Sequence, residues 1–251
     1  MGYRIQCLAS RSFGLFHRIE TTACLRNDTI MNLSPEDYNR LLESIKELMI
    51  DKGLKSLTMD SVAASLGMSK RTLYEIFESK QHMFLEVLAY QHELHIRNCT
   101  EIFKTSENTM EAMLQIFIRQ RNLMAKVNPS FFRDMDHAFS DIKDVYENAE
   151  EERHRKFLEM FTLGVSDGVF RKDVNYTVTS KIFKIQMESL KRMEELFPQE
   201  LTLLDVYDNI IIGLLRSVAT PKGLEILDRL TATLFPKYIS NNIETPDIQK
   251  R

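Results

Sequence analysis

No stretch of about 18 uncharged apolar residues occurs in the chain, which excludes a membrane-spanning helix. Glycine and proline are scarce, 8 and 6 in 251 residues. That argues against a sandwich or barrel of many short strands punctuated by turns. Cysteine is scarcer still. Cys7, Cys24 and Cys99 are odd in number and widely separated, so they offer neither a disulfide framework nor metal-ligand spacing. A reducing cytoplasm is the expected home. An overall basic excess is also missing, because the net charge is −3.

What is present is ordinary for a globular chain: 43% hydrophobic and 27% charged residues, enough to bury one large core or two small ones. The charge is unevenly spread. Between residues 52 and 80, Lys52, Lys55, Lys70, Arg71 and Lys80 face only Asp60, Glu75 and Glu78. Attraction to a polyanion depends on charge at the docking face, so this local excess matters more than the total.

The first 30 residues differ from the rest. Arg4, Arg11, Arg18 and Arg26 are scattered without a continuous apolar stretch, unlike a secretory signal. Gln6 stands where a myristoylation signal after Gly2 wants Ser or Thr. Two readings stay open, an organellar transit peptide and, preferred, a translated stretch ahead of a start at Met31. Residues 1–33 are thus expected to be an extension, disordered or not native.

From Ser34 onward the pattern is helical. Ser34 can cap, Pro35 suits the first turn, and Glu36 and Asp37 sit at the positive end of the dipole. Tyr38, Leu41, Leu42, Ile45, Leu48 and Met49 recur on one face, and Gly53 ends the helix. A second helix is expected from the cap Thr58 to Leu66, stopped by Gly67. A third runs from the cap Ser69 to about Phe77 with Leu73, Ile76 and Phe77 inward, and a fourth from Ser79 to about Lys104. Further helices are expected over 108–126, 130–142, 144–166, 176–197, 202–219 and 221–235, joined at Asn128-Pro129, Gly168, Pro198 and Thr220-Pro221. The tail 241–251 reads as disordered.

The segment from Thr58 to Phe77 concentrates the interest. Ala63 is small enough for a steep crossing, and Gly67 can take the positive φ of a sharp turn. The second helix of such a pair can lie in the DNA major groove. Its outward residues, Ser69, Lys70, Arg71, Thr72 and Tyr74, offer hydroxyls, cations and an aromatic hydroxyl. Free N–H groups at the next helix start, beside Lys80, would suit a phosphate. The alternative for Tyr74 is half-buried core, and for Lys52 and Lys55 plain solvated charges.

The run Ser69-Lys-Arg-Thr-Leu-Tyr-Glu-Ile-Phe-Glu-Ser-Lys80, preceded by Thr58 and Gly67, resembles the signature of tetracycline-repressor-like (TetR family) regulators. The likeness spans about 37–88, with a weaker echo in Gly164-Val-Ser-Asp-Gly-Val-Phe-Arg-Lys-Asp-Val174. It implies an all-α homodimer with a three-helix DNA-binding domain over 34–80 and a helical-bundle ligand-binding and dimerisation domain over 81–240. It also implies a repressor released from a palindromic operator by a small effector, with Thr58, Ser69, Lys70, Arg71, Thr72, Tyr74 and Lys80 facing DNA. Ile76 departs from the family's frequent Tyr or His, which removes one phosphate contact.

The apolar stripe through Phe117, Met124, Phe131, Phe132, Met135, Phe139, Phe157, Met160 and Phe161 is either plain core or the wall of an apolar effector site. The helices at 176–197 and 202–219 carry Ile182, Ile185, Met187, Leu190 and Met193, then Val206, Ile210, Ile211, Ile212, Leu214 and Leu215. The resemblance makes these two helices the dimer interface; the second is apolar on more than one face, which fits a partner subunit or, alternatively, a central place in the monomer core. The rival reading is an all-helical metal enzyme. Glu151 with His154 gives one Glu-x-x-His, for which Asp134 with His137 is a poor second copy, and His92 with His95 lacks a third ligand. No phosphate loop or nucleophile elbow is present, so neither a cofactor nor a metal is expected.

Overall fold

The computed structural model describes residues 33–126 and 143–234. The extension before Leu33, the expected helix at 130–142 and the tail lie outside them. Within them run α1 (Pro35–Lys52), α2 (Met59–Ser65), α3 (Lys70–Ile76), α4 (Lys80–Thr105), α5 (Thr109–Met124) and α6 (Lys143–Ser166). After these come α7 (Tyr176–Ser189), a 3₁₀ turn (Leu190–Arg192), α8 (Met193–Leu196), α9 (Leu203–Val218) and α10 (Pro221–Leu234). The only extended pairing among the described residues is a single bridge between Phe170 and Ala219.

The starts of these helices are set locally. Ser34 accepts from Asp37 N and Ser69 from Thr72 N. Thr58 with Ser61, and Thr202 with Asp205, form reciprocal capping boxes. Helix α2 ends in a Schellman motif: Met68 N donates to Ala63 O at 3.0 Å and Gly67 N to Ala64 O at 3.3 Å. Gly67 carries the φ of +66° that this motif requires. The expected single helix over 176–197 is instead broken at the 3₁₀ turn; no glycine or proline marks that break.

The described residues fall into two compact units. The first contains α1 to α4 up to Lys104, whereas the sequence places the division at 80. Met83, Phe84 and Val87 of α4 belong to the first unit's core. They pack with Leu42, Ile45 and Met49 of α1, Leu54 and Leu57 of the following loop, Met59, Val62 and Ala63 of α2, and Leu73 and Phe77 around α3. Each such burial contributes roughly 1.5–3 kcal/mol before the chain entropy it opposes.

The second unit contains most of α5, α6 from His154, and α7 to α10. Its α9 buries Val206, Tyr207, Ile211, Ile212, Leu214, Leu215 and Val218 within the unit itself. The apolar faces of that helix are therefore already covered in the monomer. An exposed apolar stripe sits earlier in the unit, on α7: Val178, Ile182 and Ile185 are 50, 52 and 66% exposed at i, i+4 and i+7 spacing.

Candidate nucleic-acid interface

Helix α3 is only two turns long, and its position is fixed from behind. Leu73 and Phe77 are fully buried and Ile76 packs partly on the same core. Burying that edge turns the opposite one outward, where Lys70, Arg71 and Tyr74 are exposed. Tyr74 is 45% exposed, which removes the core reading of its ring.

The outward groups are organised by short contacts. Ser69 Oγ caps α3 and lies 2.8 Å from Thr72 Oγ1. Lys70 Nζ reaches Asp60 of α2 at 2.6 Å and stands 6.0 Å from the centre of the Tyr74 ring. Arg71 Nε donates to Glu75 Oε1 at 2.8 Å. Hydrogen bonding and then charge attraction from Asp60 hold the Lys70 ammonium above its ordinary range, and Glu75 does the same for Arg71. Both cations remain charged at any physiological pH.

Two expected DNA-facing residues are occupied with structure. Thr58 Oγ1 accepts from Ser61 N at 3.1 Å as the cap of α2. Lys80 Nζ donates to Leu54 O at 2.9 Å and lies 5.3 Å from the Phe84 ring centre, so its amine ties the α1–α2 loop to α4. Behind α3, Tyr38 of α1 donates to Glu86 of α4 at 3.0 Å, and His82 Nδ1 accepts from Glu78 N at 3.3 Å. In the sequence Tyr38 shows only as part of the apolar face of α1 and Glu78 only as an opposing charge; 48 positions separate Tyr38 from Glu86, so nothing local points to their bond. Asp60 and Glu75 entered there only as opposing charges, although the i,i+4 spacing of Arg71 and Glu75 was legible.

In the second unit an aromatic cluster gathers part of the expected apolar stripe. The Phe117 ring lies 6.4 Å from Phe157, and Phe157 4.7 Å from Phe161. Phe183 stacks on Phe157 at 4.9 Å and Tyr176 on Phe161 at 4.7 Å; neither was anticipated. Phe161 is wholly buried. Met124 is buried too but groups with the first unit. Phe131, Phe132, Met135 and Phe139 lie outside the described residues. Beside the cluster, Tyr207 donates to Phe117 O at 3.0 Å, and Arg121 Nε meets both carboxylate oxygens of Asp208 at 2.7 and 2.9 Å. Asp134, His137 and the Glu151 side chain are outside the described residues, within which no group of three His, Cys, Asp or Glu could hold a metal ion. No described helix is long and apolar enough to cross a membrane.

The sequence model of bacterial regulatory proteins of the tetR family matches residues 41–87, which are α1 from Leu41 through α4 to Val87. The chain is similar to the HTH-type transcriptional repressor KstR2 of Mycolicibacterium smegmatis, 24% identical over 150 residues, covering 58% of this chain and 73% of the relative. It is also similar to the HTH-type transcriptional activator FasR of the same organism, 28% identical over 143 residues, covering 55% of this chain and 60% of that one. In structure it resembles a TetR-family transcriptional regulator from Marinobacter aquaeolei VT8, with a TM-score of 0.61 at 18% identity over 80% of this chain and 98% of the other. A capped, glycine-joined helix pair with a cationic outward edge, ahead of a helical second unit, agrees with all three. Residues 41–87 match the tetR family of bacterial regulatory proteins, and the chain is similar to DNA-binding regulators of transcription.

Proposed function

We propose that this regulator reads a palindromic operator in the major groove with α3, as a cytoplasmic homodimer, and represses until a small apolar ligand enters its second unit. The observation that carries the reading is the two-sided character of α3. Leu73 and Phe77 are sunk in the core, while Lys70, Arg71 and Tyr74 project to solvent. Arg71 and the Ser69 and Thr72 hydroxyls suit base edges, while Lys70 and Lys80 suit phosphates and Thr58 the adjacent backbone. One short helix reads few base pairs, so two copies about one DNA turn apart, ~34–36 Å, are needed for a specific site.

On this reading, residues 34–80 carry DNA recognition and 81–240 the ligand response. The aromatic cluster around Phe117, Phe157 and Phe161 is the region an apolar effector would enter. Selection from random duplex DNA, followed by titration with Arg71→Ala and Lys80→Ala, tests the assignment. Arg71→Ala should cost ~1–3 kcal/mol and relax one base position. Lys80→Ala should weaken every sequence alike and flatten the salt dependence. Unchanged binding in both removes α3 and the start of α4 from the interface.

A further inference from the structure

Glu75 places a negative charge on the edge of α3 that is meant to approach a polyanion. Electrostatically that is the wrong sign, and it opposes binding to every DNA sequence equally. Its geometry supplies a compensating use. Arg71 and Glu75 are one helical turn apart on the same face. The Arg71 side chain is 89% exposed and reaches outward, with the Glu75 carboxylate, 37% exposed, at its root. We infer that Glu75 is a specificity-determining residue, which aims the Arg71 guanidinium at a guanine by holding its Nε edge. The inference rests on the reading of α3 as the groove-entering helix.

The guanidinium is a planar fork of five N–H donors. The contact at 2.8 Å takes the Nε–H and leaves the two terminal nitrogens as a parallel donor pair. That pair matches the O6 and N7 acceptors of guanine in the major groove. An untethered arginine would scan many rotamers, several of them serving a phosphate as well as a base. A tethered one has surrendered part of that freedom before it meets DNA. Lys70 provides the contrast. It too has an acidic partner, Asp60 at 2.6 Å, but an ammonium is a point charge with no preferred edge, so fixing it selects no base.

Charge alone predicts unchanged discrimination and positioning predicts its loss, and this separates them. The wild type first selects a preferred site from a random-sequence duplex library. Wild type, Glu75→Ala, Glu75→Gln, Arg71→Ala and the Arg71→Ala/Glu75→Ala double variant are then titrated by fluorescence anisotropy. The duplexes are that site, its single-base-pair variants and an unrelated sequence. Glu75→Ala should bind the unrelated duplex more tightly yet discriminate about five- to tenfold less at the base pair that Arg71→Ala also relaxes. Glu75→Gln should retain most of the discrimination, since its amide oxygen still accepts from Nε. In the Arg71→Ala background, Glu75→Ala should shift all duplexes alike. Equal strengthening of every duplex by Glu75→Ala, with discrimination intact, overturns the inference. So does relaxation at a different base pair, which would make Glu75 a base reader itself. If Arg71→Ala relaxes no base pair, or the wild type selects no site, it is the assignment of α3 that fails.

Discussion

Replacing Gly164 by alanine sets two opposing effects against each other, and the structure decides which prevails. Gly164 lies in the last turns of α6, where alanine would favour the helix by about 1 kcal/mol. Its new Cβ, however, would stand 1.9 Å from Phe170 Cδ2, 2.4 Å from Cε2 and 2.7 Å from Cγ. Carbon atoms sit comfortably at about 3.5–4.0 Å, so the ring would have to retreat by about 1.5 Å or more. It has little room to do so. Phe170 is buried with Phe161 at 5.8 Å. Its backbone is also stapled: Phe170 N to Gly164 O at 3.0 Å, Arg171 N to Val218 O at 2.8 Å, and Thr220 N to Val169 O at 3.0 Å. Overpacking of this kind costs typically about 1–3 kcal/mol, and the pinned ring places this site in the upper part of that range. The net loss should be about 1–2 kcal/mol, lowering the thermal midpoint by about 3–6 °C in a chain of this size. Thermal melts of Gly164→Ala, Phe170→Leu and the double variant test it. The smaller leucine should absorb the methyl, so the double variant should lose at least about 1 kcal/mol less than the two singles combined. A raised midpoint for Gly164→Ala, or strict additivity in the double variant, would refute the steric account.

Two further outcomes follow from burial. Tyr38 and Tyr207 have phenol groups pushed well above their ordinary range, first by desolvation and then by the charges of Glu86 and Asp208 respectively. Above about pH 10 the unfolded chain releases protons that the native chain keeps, so stability should fall as pH rises, by about 1.4 kcal/mol per pH unit for each group. Denaturant titrations between pH 9 and 11 should show a shallower decline in Tyr38→Phe; an identical slope would free Tyr38 of the effect. On the surface, Ile185→Glu should preserve the fold and shift sedimentation from dimer to monomer, because that side chain lies on the uncovered stripe of α7. Ile211→Glu should instead unfold the second unit by burying a charge at a position only 2% exposed. A dimer that survives Ile185→Glu would move the subunit interface elsewhere.

What could be read from the sequence, and what could not, divides by distance along the chain. Caps act over three residues, so Ser34, Thr58 and Ser69 could be placed before any coordinates, and Gly67 announced its turn by having no side chain to strain. Contacts across space carry no such local sign. Thr109 donates to Asp167 at 2.6 and 2.9 Å across 58 positions, and Arg121 to Asp208 across 87. Each side chain, seen alone, is an ordinary surface charge or hydroxyl. Phe183 and Tyr176 were missed for the same reason, since periodicity shows which face of a helix is apolar but not which rings will meet.

Direction is the second thing a pattern withholds. Lys80 follows a helix-capping serine beside a cationic segment, and sequence supplies its charge without saying where the amine goes. In the structure it turns to Leu54 O, so any phosphate contact must compete with, or be shared with, the bond that anchors the α1–α2 loop. The apolar run of α9 has the same ambiguity on a larger scale. A helix apolar on several faces must be covered, but a neighbour in its own unit and one in a second copy satisfy the sequence equally. Here the helix lies inside its own unit, and the exposed apolar stripe is that of Val178, Ile182 and Ile185 on α7, the other helix of the expected interface. If the protein reads DNA as the proposed dimer, the face to alter is the one with the weaker apolar pattern and the greater exposure. Changes to the stronger pattern would report on folding alone.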